Sequence, residues 1–252
     1  MDFFNFTGKK AIVTGASRGL GKGIAESFME YGIEVVMLAT NKKLPAMAEE
    51  YCARGYKCHA VIADLADGRA REGAFYEALE KLGGRLDILV NCAGVQRRHK
   101  AEEFPIEDWE LVMNVNLTAT FTLCQLAARE MIKQGGGKII NIASLLSFFG
   151  GYTVPAYAAS KGGVAQLTKA FANEWAAHGI NVNALAPGYM DTDMNTALIG
   201  DEKRNAEILA RIPAKRWGTP ADLSGAALFL ASEASNYVNG AILPVDGGFL
   251  SR

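Results

Sequence analysis

Tyr157 and Lys161 stand four residues apart in the run Pro155-Ala156-Tyr157-Ala158-Ala159-Ser160-Lys161. Apolar side chains then recur at Val164, Leu167, Phe171 and Trp175, a helical period, so the pair shares one face of a helix. A phenol with a pKa of about 10 is a poor proton-transfer group at neutral pH. An ammonium on the next turn changes that, because at roughly 4 Å and an effective dielectric of about 20 a unit charge is worth about 4 kcal/mol. Lys161 is therefore expected to draw the Tyr157 pKa down toward the working range and make it a general acid/base. The small residues around the pair, Ala156, Ala158, Ala159, Ser160, Gly162 and Gly163, leave room for a ligand.

A second chemistry lies near the amino terminus. Lys10-Ala11-Ile12-Val13-Thr14 is a short apolar run that feeds the turn Gly15-Ala16-Ser17-Arg18-Gly19-Leu20-Gly21, and a helix with Ile24, Phe28 and Met29 follows. A glycine-rich strand-to-helix turn lets the backbone approach a phosphate, while the helix amino terminus offers free N–H groups and a positive dipole end. The spacing Gly-x-x-x-Gly-x-Gly departs from the usual Gly-x-Gly-x-x-Gly fingerprint, but the chemistry it serves is the same. Farther on, Arg97, Arg98, His99 and Lys100 follow an apolar strand directly, and an arginine there suits a carboxylate that it grips in bidentate fashion.

The elements that must position these residues alternate regularly. Short apolar runs at Lys10–Thr14, Glu34–Leu38, Cys58–Ala63, Asp87–Val90, Lys138–Ile142, Ile180–Ala186 and Ala241–Val245 are separated by amphipathic helical stretches, including a long one over Ile106–Gln134. That alternation predicts a parallel sheet covered on both faces, with ligands outside the carboxyl ends of the strands. Gly15, Asp64, Asn91, Ser144 and Pro187 all fall at or just past such ends, so they should converge on one edge. The stretch from Tyr189 to Lys215 lies outside the alternation and reads as one or two short helices forming a substrate lid.

Composition narrows the class. A chain of 252 residues, half of them hydrophobic, fits a single large domain. Its net charge of −1 gives no footprint for nucleic acid or an acidic membrane. Cys52, Cys58, Cys92 and Cys124 form no C-x-x-C pair and no secreted-domain framework, and no metal-ligand cluster stands out. The amino terminus lacks a signal-like apolar core, and no apolar run approaches 18 residues, which together point to a cytoplasmic protein.

With Thr14 to Gly21, Asn91-Cys92-Ala93-Gly94, Asn116, Ser144, Tyr157, Lys161 and Pro187-Gly188 in this order, and thirteen residues from Ser144 to Tyr157, the chain resembles the short-chain dehydrogenase/reductase family over almost its whole length. The resemblance implies an α/β fold, one Rossmann-type domain over residues 1–252 with a seven-stranded, doubly wound parallel sheet, and hydride transfer to or from a nicotinamide. It makes Tyr157 the acid/base, Lys161 its activator and a ribose ligand, Ser144 the hydrogen-bond partner of the substrate oxygen, and Asn116 the anchor of a proton-relaying water. Cofactor contacts would come from Gly15, Ser17, Arg18, Gly19, Leu20 and Gly21 at the phosphates, from Asp64 and Leu65 at the adenine and from Asn91, Ala93 and Gly94 beside the ribose. Pro187, Gly188 and Thr192 would meet the nicotinamide amide.

Within the family, the stretches Gln96-Arg97-Arg98, Asn141 to Phe148, Asn173-Glu174-Trp175-Ala176, Ala186 to Met190 and Arg211 to Gly218 resemble dehydrogenases of sugar acids in pectin and aldonate catabolism. That implies a sugar-acid substrate gripped by Arg97 or Arg98, and NAD as cofactor. The second strand nevertheless ends in Ala39-Thr40-Asn41-Lys42-Lys43, with no acid to repel a 2′-phosphate, so NADP also fits. The family further implies a homotetramer, with the Ile106 and Tyr157 helices in one interface and the carboxyl terminus in another. Two rivals are a dinucleotide sensor without turnover, which would lose the tyrosine or lysine, and a 3-oxoacyl carrier reductase, which would want a basic docking surface.

Overall fold

The computed structural model describes residues 2–252. Its strands are the apolar runs of the sequence: β1 Lys10–Thr14, β2 Glu34–Ala39, β3 Cys58–Ile62, β4 Ile88–Asn91, β5 Gly137–Ile142, β6 Ile180–Pro187 and β7 Ile242–Val245. They are rich in Val, Ile and Leu and mostly buried on both faces, as central parallel strands must be. All pairs are parallel and the order is β3-β2-β1-β4-β5-β6-β7. The connections reverse direction between β1 and β4, which opens the crevice where such sheets bind ligands.

Helices cover both faces. On one side α1 (Gly19–Glu30), α2 (Leu44–Ala53) and the last long helix, α9 (Pro220–Ala231), pack Ile24, Phe28, Leu44 and Leu223 on Ala11, Val13, Val35 and Met37. The other side takes α3 (Gly68–Lys81), α5 (Ala119–Gln134) and α6 (Pro155–Trp175), whose Phe75, Leu123 and Phe171 meet Ile12, Val36, Leu38 and Leu89. Alternate strand residues thus feed opposite cores, as the two-residue strand period requires.

The expected long helix over Ile106–Gln134 is interrupted. It begins as α4 (Ile106–Met113), passes through a π-helical turn at Asn114–Thr118 and continues as α5. Periodicity alone does not show a one-residue expansion of this kind, and such turns frequently mark functional sites. The same 29-residue stretch, with a mean hydropathy of 1.3 over its most apolar window, is long and apolar enough to cross a bilayer, in contrast to the run length read from the sequence. Its apolar face is instead spent on the sheet, through Leu123, Cys124, Ala127 and Met131.

Residues 189–215 leave the sheet edge as two short helices, α7 (Thr196–Ile199) and α8 (Glu202–Arg211). A parallel bridge between Met190 and Gly218 pinches the base of this excursion, with Asp191 N–H on the Gly218 carbonyl at 2.7 Å and Gly218 N–H on that of Tyr189 at 2.9 Å. The segment is therefore a flap with a defined neck.

Candidate active site

The turn after β1 is shaped by what its glycines exclude. Gly15 has φ +67° and a Cβ there would lie 2.8 Å from the Ala93 Cα; one on Gly21 would lie 2.4 Å from the Gly15 carbonyl oxygen. Helix α1 starts just beyond, and no side chain caps it, whereas α3 is capped by Asp67 and α9 by Thr219 and Asp222. The Ser17 hydroxyl also has no partner among the described residues. Uncapped N–H groups at a helix amino terminus, reached over a turn without side chains, fit a dinucleotide pyrophosphate. Arg18 reaches across the cleft to Asp193, 3.3 Å away, and Thr192 packs against Gly19.

The opposite wall is the end of β4. Thr14, part of the turn motif but given no role by the sequence, accepts the Cys92 and Ala93 N–H groups at 2.9 and 3.0 Å through its hydroxyl and so fixes Ala93 and Gly94 beside the turn. Asn91 turns its amide into the core, onto the Asn141 Oδ1 at 2.9 Å and the Cys124 sulfur at 3.2 Å, which leaves only its backbone for the ribose wall. Leu65 is likewise buried among core residues, while Asp64 stays exposed at the β3 end. Gly188 donates to the Val245 carbonyl at 2.9 Å, and Pro187 closes β6 at the same edge.

Ser144, Tyr157 and Lys161 come together as their spacing predicts. Ser144 opens a 3-10 turn, Leu145–Ser147, and its hydroxyl accepts the Leu146 N–H at 3.2 Å. Ser147 was not anticipated: it accepts the Ser144 N–H at 3.3 Å and donates to the Lys161 carbonyl at 2.7 Å, tying the serine to the helix of the tyrosine. The Ser-x-x-Ser spacing of a capping box was its sequence signal. Lys161 is only 4% exposed and donates to the Ile142 carbonyl, with its Nζ 5.7 Å from the centroid of the Tyr157 ring.

Electrostatics differ from the expectation of an acidified phenol. Burial pushes the Tyr157 pKa up to about 12; the Ser144 hydroxyl opposes this, the neighbouring Cys92 adds to it, and the Arg98 charge opposes it. Burial also lowers Lys161 to about 8, against the pull of Cys92. The ammonium faces the ring and a carbonyl, and desolvation is the largest cause of both shifts.

Asn116 sits in the π turn, 1% exposed. Its Oδ1 accepts the Val95 N–H at 2.8 Å, and its Nδ2 donates to the Val95 carbonyl at 3.0 Å and to Ser160 Oγ at 3.1 Å. Both amide hydrogens and one lone pair of the Oδ1 thus hold the loop after β4 against α6, and one lone pair of the Oδ1 has no partner among the described residues. That loop carries the arginines. Arg97 is held by Asp108 at 3.1 Å, which also binds His99 at 2.6 Å. Among the described residues Arg98 has only Gln96, at 3.5 Å, and its charge acts on Tyr157.

A helix end open to phosphate and, two strands over, a buried proton-transfer cluster are the two halves of a dinucleotide-dependent oxidoreductase. Residues 15–250 match the family model described as enoyl-(acyl carrier protein) reductase. Over 251 residues, 100% of this chain and 98% of the relative, the sequence is 51% identical to 2-dehydro-3-deoxy-D-gluconate 5-dehydrogenase of Bacillus subtilis (strain 168). It is 49% identical to the Escherichia coli (strain K12) protein of the same name, over 99% of this chain and 98% of that one. The crystal structure of a gluconate 5-dehydrogenase from Burkholderia cenocepacia J2315 in complex with NADP and tartrate superposes with a TM-score of 0.95 at 42% identity, over 100% of this chain and 98% of that one. The chain belongs to the short-chain dehydrogenase/reductase family and is an NAD(P)-dependent oxidoreductase acting on CH–OH groups.

Proposed function

We propose that this protein is a sugar-acid dehydrogenase interconverting the secondary alcohol and ketone at C5 of 2-dehydro-3-deoxy-D-gluconate, in the breakdown of pectin-derived sugar acids. The observation that carries the reading is Arg98, a guanidinium with no carboxylate of its own, whose charge reaches Tyr157. A cation so placed, next to the proton-transfer group, favours an anionic substrate whose hydroxyl lies within reach of Ser144 and Tyr157. The relatives named for this activity, at 51% and 49% identity over nearly full length, support the same substrate. Gluconate is the alternative substrate, favoured by the relative crystallised with NADP and the dicarboxylate tartrate.

The residues divide the work as follows. Ser144 donates a hydrogen bond to the reacting oxygen, and Tyr157 gives a proton to it in ketone reduction or takes one in alcohol oxidation. Lys161 binds the ribose and supplies the positive charge beside the phenol. The nicotinamide, when bound, supplies or accepts the hydride. Gly15, Ser17, Gly19 and Gly21 seat the phosphates, with Leu20 behind them, while Thr192, Pro187 and Gly188 border the nicotinamide end. We take NAD as the working cofactor on the resemblance to sugar-acid dehydrogenases; NADP is accepted as well, since Thr40, Asn41, Lys42 and Lys43 after β2 present no acid and the relative above was crystallised with NADP. The flap over 189–215 serves as the substrate lid, and the protein works as a cytoplasmic homotetramer.

A single screen tests the reading. Purified protein with NAD or NADP and 2-dehydro-3-deoxy-D-gluconate, D-gluconate, 2-deoxy-D-gluconate, neutral ketones and an acyl thioester should give a nicotinamide absorbance change with a sugar acid at least about tenfold faster than with the neutral compounds. Preference for the thioester, or no turnover despite dinucleotide binding, would refute it.

A further inference from the structure

The arginines around the cleft differ in what they hold. Arg18, Arg97 and Arg216 each bind a carboxylate, that of Asp193, Asp108 and Asp222 in turn. Arg98 and Arg204 bind none among the described residues. Arg204 lies on the first turn of α8, one helical turn before Ile208, so the two share a face. Ile208 is the buried anchor of that face: it joins the apolar cluster of Leu145, the residue after Ser144, with Ile212 and Phe249. Two contacts fix the rotation of the helix, and a third holds Trp217, the partner in one of them. Trp217 Nε1 donates to Asn205 Oδ1 at 2.8 Å, Trp217 sets its ring edge-on to Tyr189 at 5.6 Å, and the Arg211 guanidinium lies 4.4 Å over the Phe249 ring. Arg204 therefore stands, exposed, one turn from the contact between α8 and the residue that follows Ser144. The electrostatics agree: burial lowers the Arg98 pKa first, the Arg204 charge lowers it further, and Tyr189 and Tyr157 oppose this.

We propose that Arg204 on α8 and Arg98 on the loop after β4 form a two-guanidinium seat for the substrate carboxylate, with half of the seat carried by the flap. Two like charges brought together without an acid cost free energy, and a carboxylate between them removes that cost while offering two acceptor oxygens, one to each guanidinium. Because Arg204 moves with α8, carboxylate binding and flap closure become one event, and a neutral analogue forfeits both. The proposal rests on the sugar-acid reading and adds to it a named residue and a means of closure.

The test compares wild type with Arg204→Ala, Arg98→Ala and the double variant, using D-gluconate and its uncharged counterpart D-gluconamide as substrates. Sodium tartrate serves as a non-reacting probe in calorimetric titration of the dinucleotide-loaded protein. Arg204→Ala should raise the KM for gluconate about tenfold, leave kcat within about twofold and leave the KM for gluconamide unchanged; the tartrate Kd should rise by about the same factor. Arg204→Lys should recover part of the loss. The double variant should lose less than the product of the single losses, since each arginine works through the other. Unchanged melting temperature and dinucleotide affinity exclude misfolding as the cause. Equal KM effects on acid and amide, or a tartrate Kd unaltered by Arg204→Ala, would overturn the proposal while leaving the sugar-acid reading in place. Turnover by wild type of neutral substrates only would instead overturn that reading, and an absence of tartrate binding to wild type would count against the seat itself.

Discussion

Burial, not the neighbouring ammonium, sets the state of Tyr157 before a cofactor arrives. The phenol is held up to about 12, so it is protonated at every physiological pH and ready to donate to a ketone oxygen. Alcohol oxidation needs the opposite form. The phenolate fraction grows with pH, so kcat/KM for oxidation should climb from pH 7, while ketone reduction, which keeps the phenol protonated but needs the Lys161 charge, should fall as pH rises past about 8. A pH-rate profile in both directions checks this, and oxidation that is flat above pH 7 would show the phenol already ionised. The Tyr-x-x-x-Lys spacing made the pair legible in the sequence, but the direction of the Lys161 Nζ, onto the Ile142 carbonyl, was not, because periodicity places a residue on a face without orienting its polar end. The same limit applies to Asn91, whose side chain serves the core, and to Arg97, whose pairing with Asp108 no spacing could show.

At the scale of elements, the strand-and-helix alternation was readable because the buried strands are short, mostly apolar runs and helices such as α1 and α5 carry a 3.6-residue stripe. The π turn at Asn114–Thr118 was not, since one extra residue per turn leaves the hydrophobic stripe nearly intact. Yet this turn aims Asn116 at Val95 and Ser160. Asn116→Ala removes three hydrogen bonds and strands buried groups, for a loss of about 1–3 kcal/mol of stability. At roughly 2–4 °C per kcal/mol for a chain of this size, calorimetry should show Tm lower by several degrees. Because the loop it holds carries Arg98, KM for a sugar acid should rise as well. Ser147→Ala, which unties the Ser144 turn from α6, should cost about 1 kcal/mol and lower kcat more than it alters dinucleotide binding. Equal kinetics in the two variants and wild type would remove the positioning roles.

For the whole molecule, the sheet order fixes where the crevice lies, and the covered faces explain why an apolar 29-residue helical stretch belongs in this fold rather than in a bilayer. The outer faces of α5 and α6 are not fully covered: Phe121 and Ile132 are each 41% exposed, and Phe121, Phe171 and Trp175 stack in a row. For the proposed homotetramer, light scattering should give four times the 27.0 kDa chain mass, and Phe121→Asp should reduce it; a monomeric wild type would exclude that assembly. The central claim concerns the crevice itself, where a phenol passes a proton while a bound nicotinamide exchanges hydride. Replacing Tyr157 by Phe deletes one oxygen and nothing else, so dinucleotide Kd and kcat measured on the same preparation test it most directly. The account predicts a Kd within about threefold of wild type and a kcat lower by roughly 10²–10⁴. A kcat within a few-fold of wild type would contradict it.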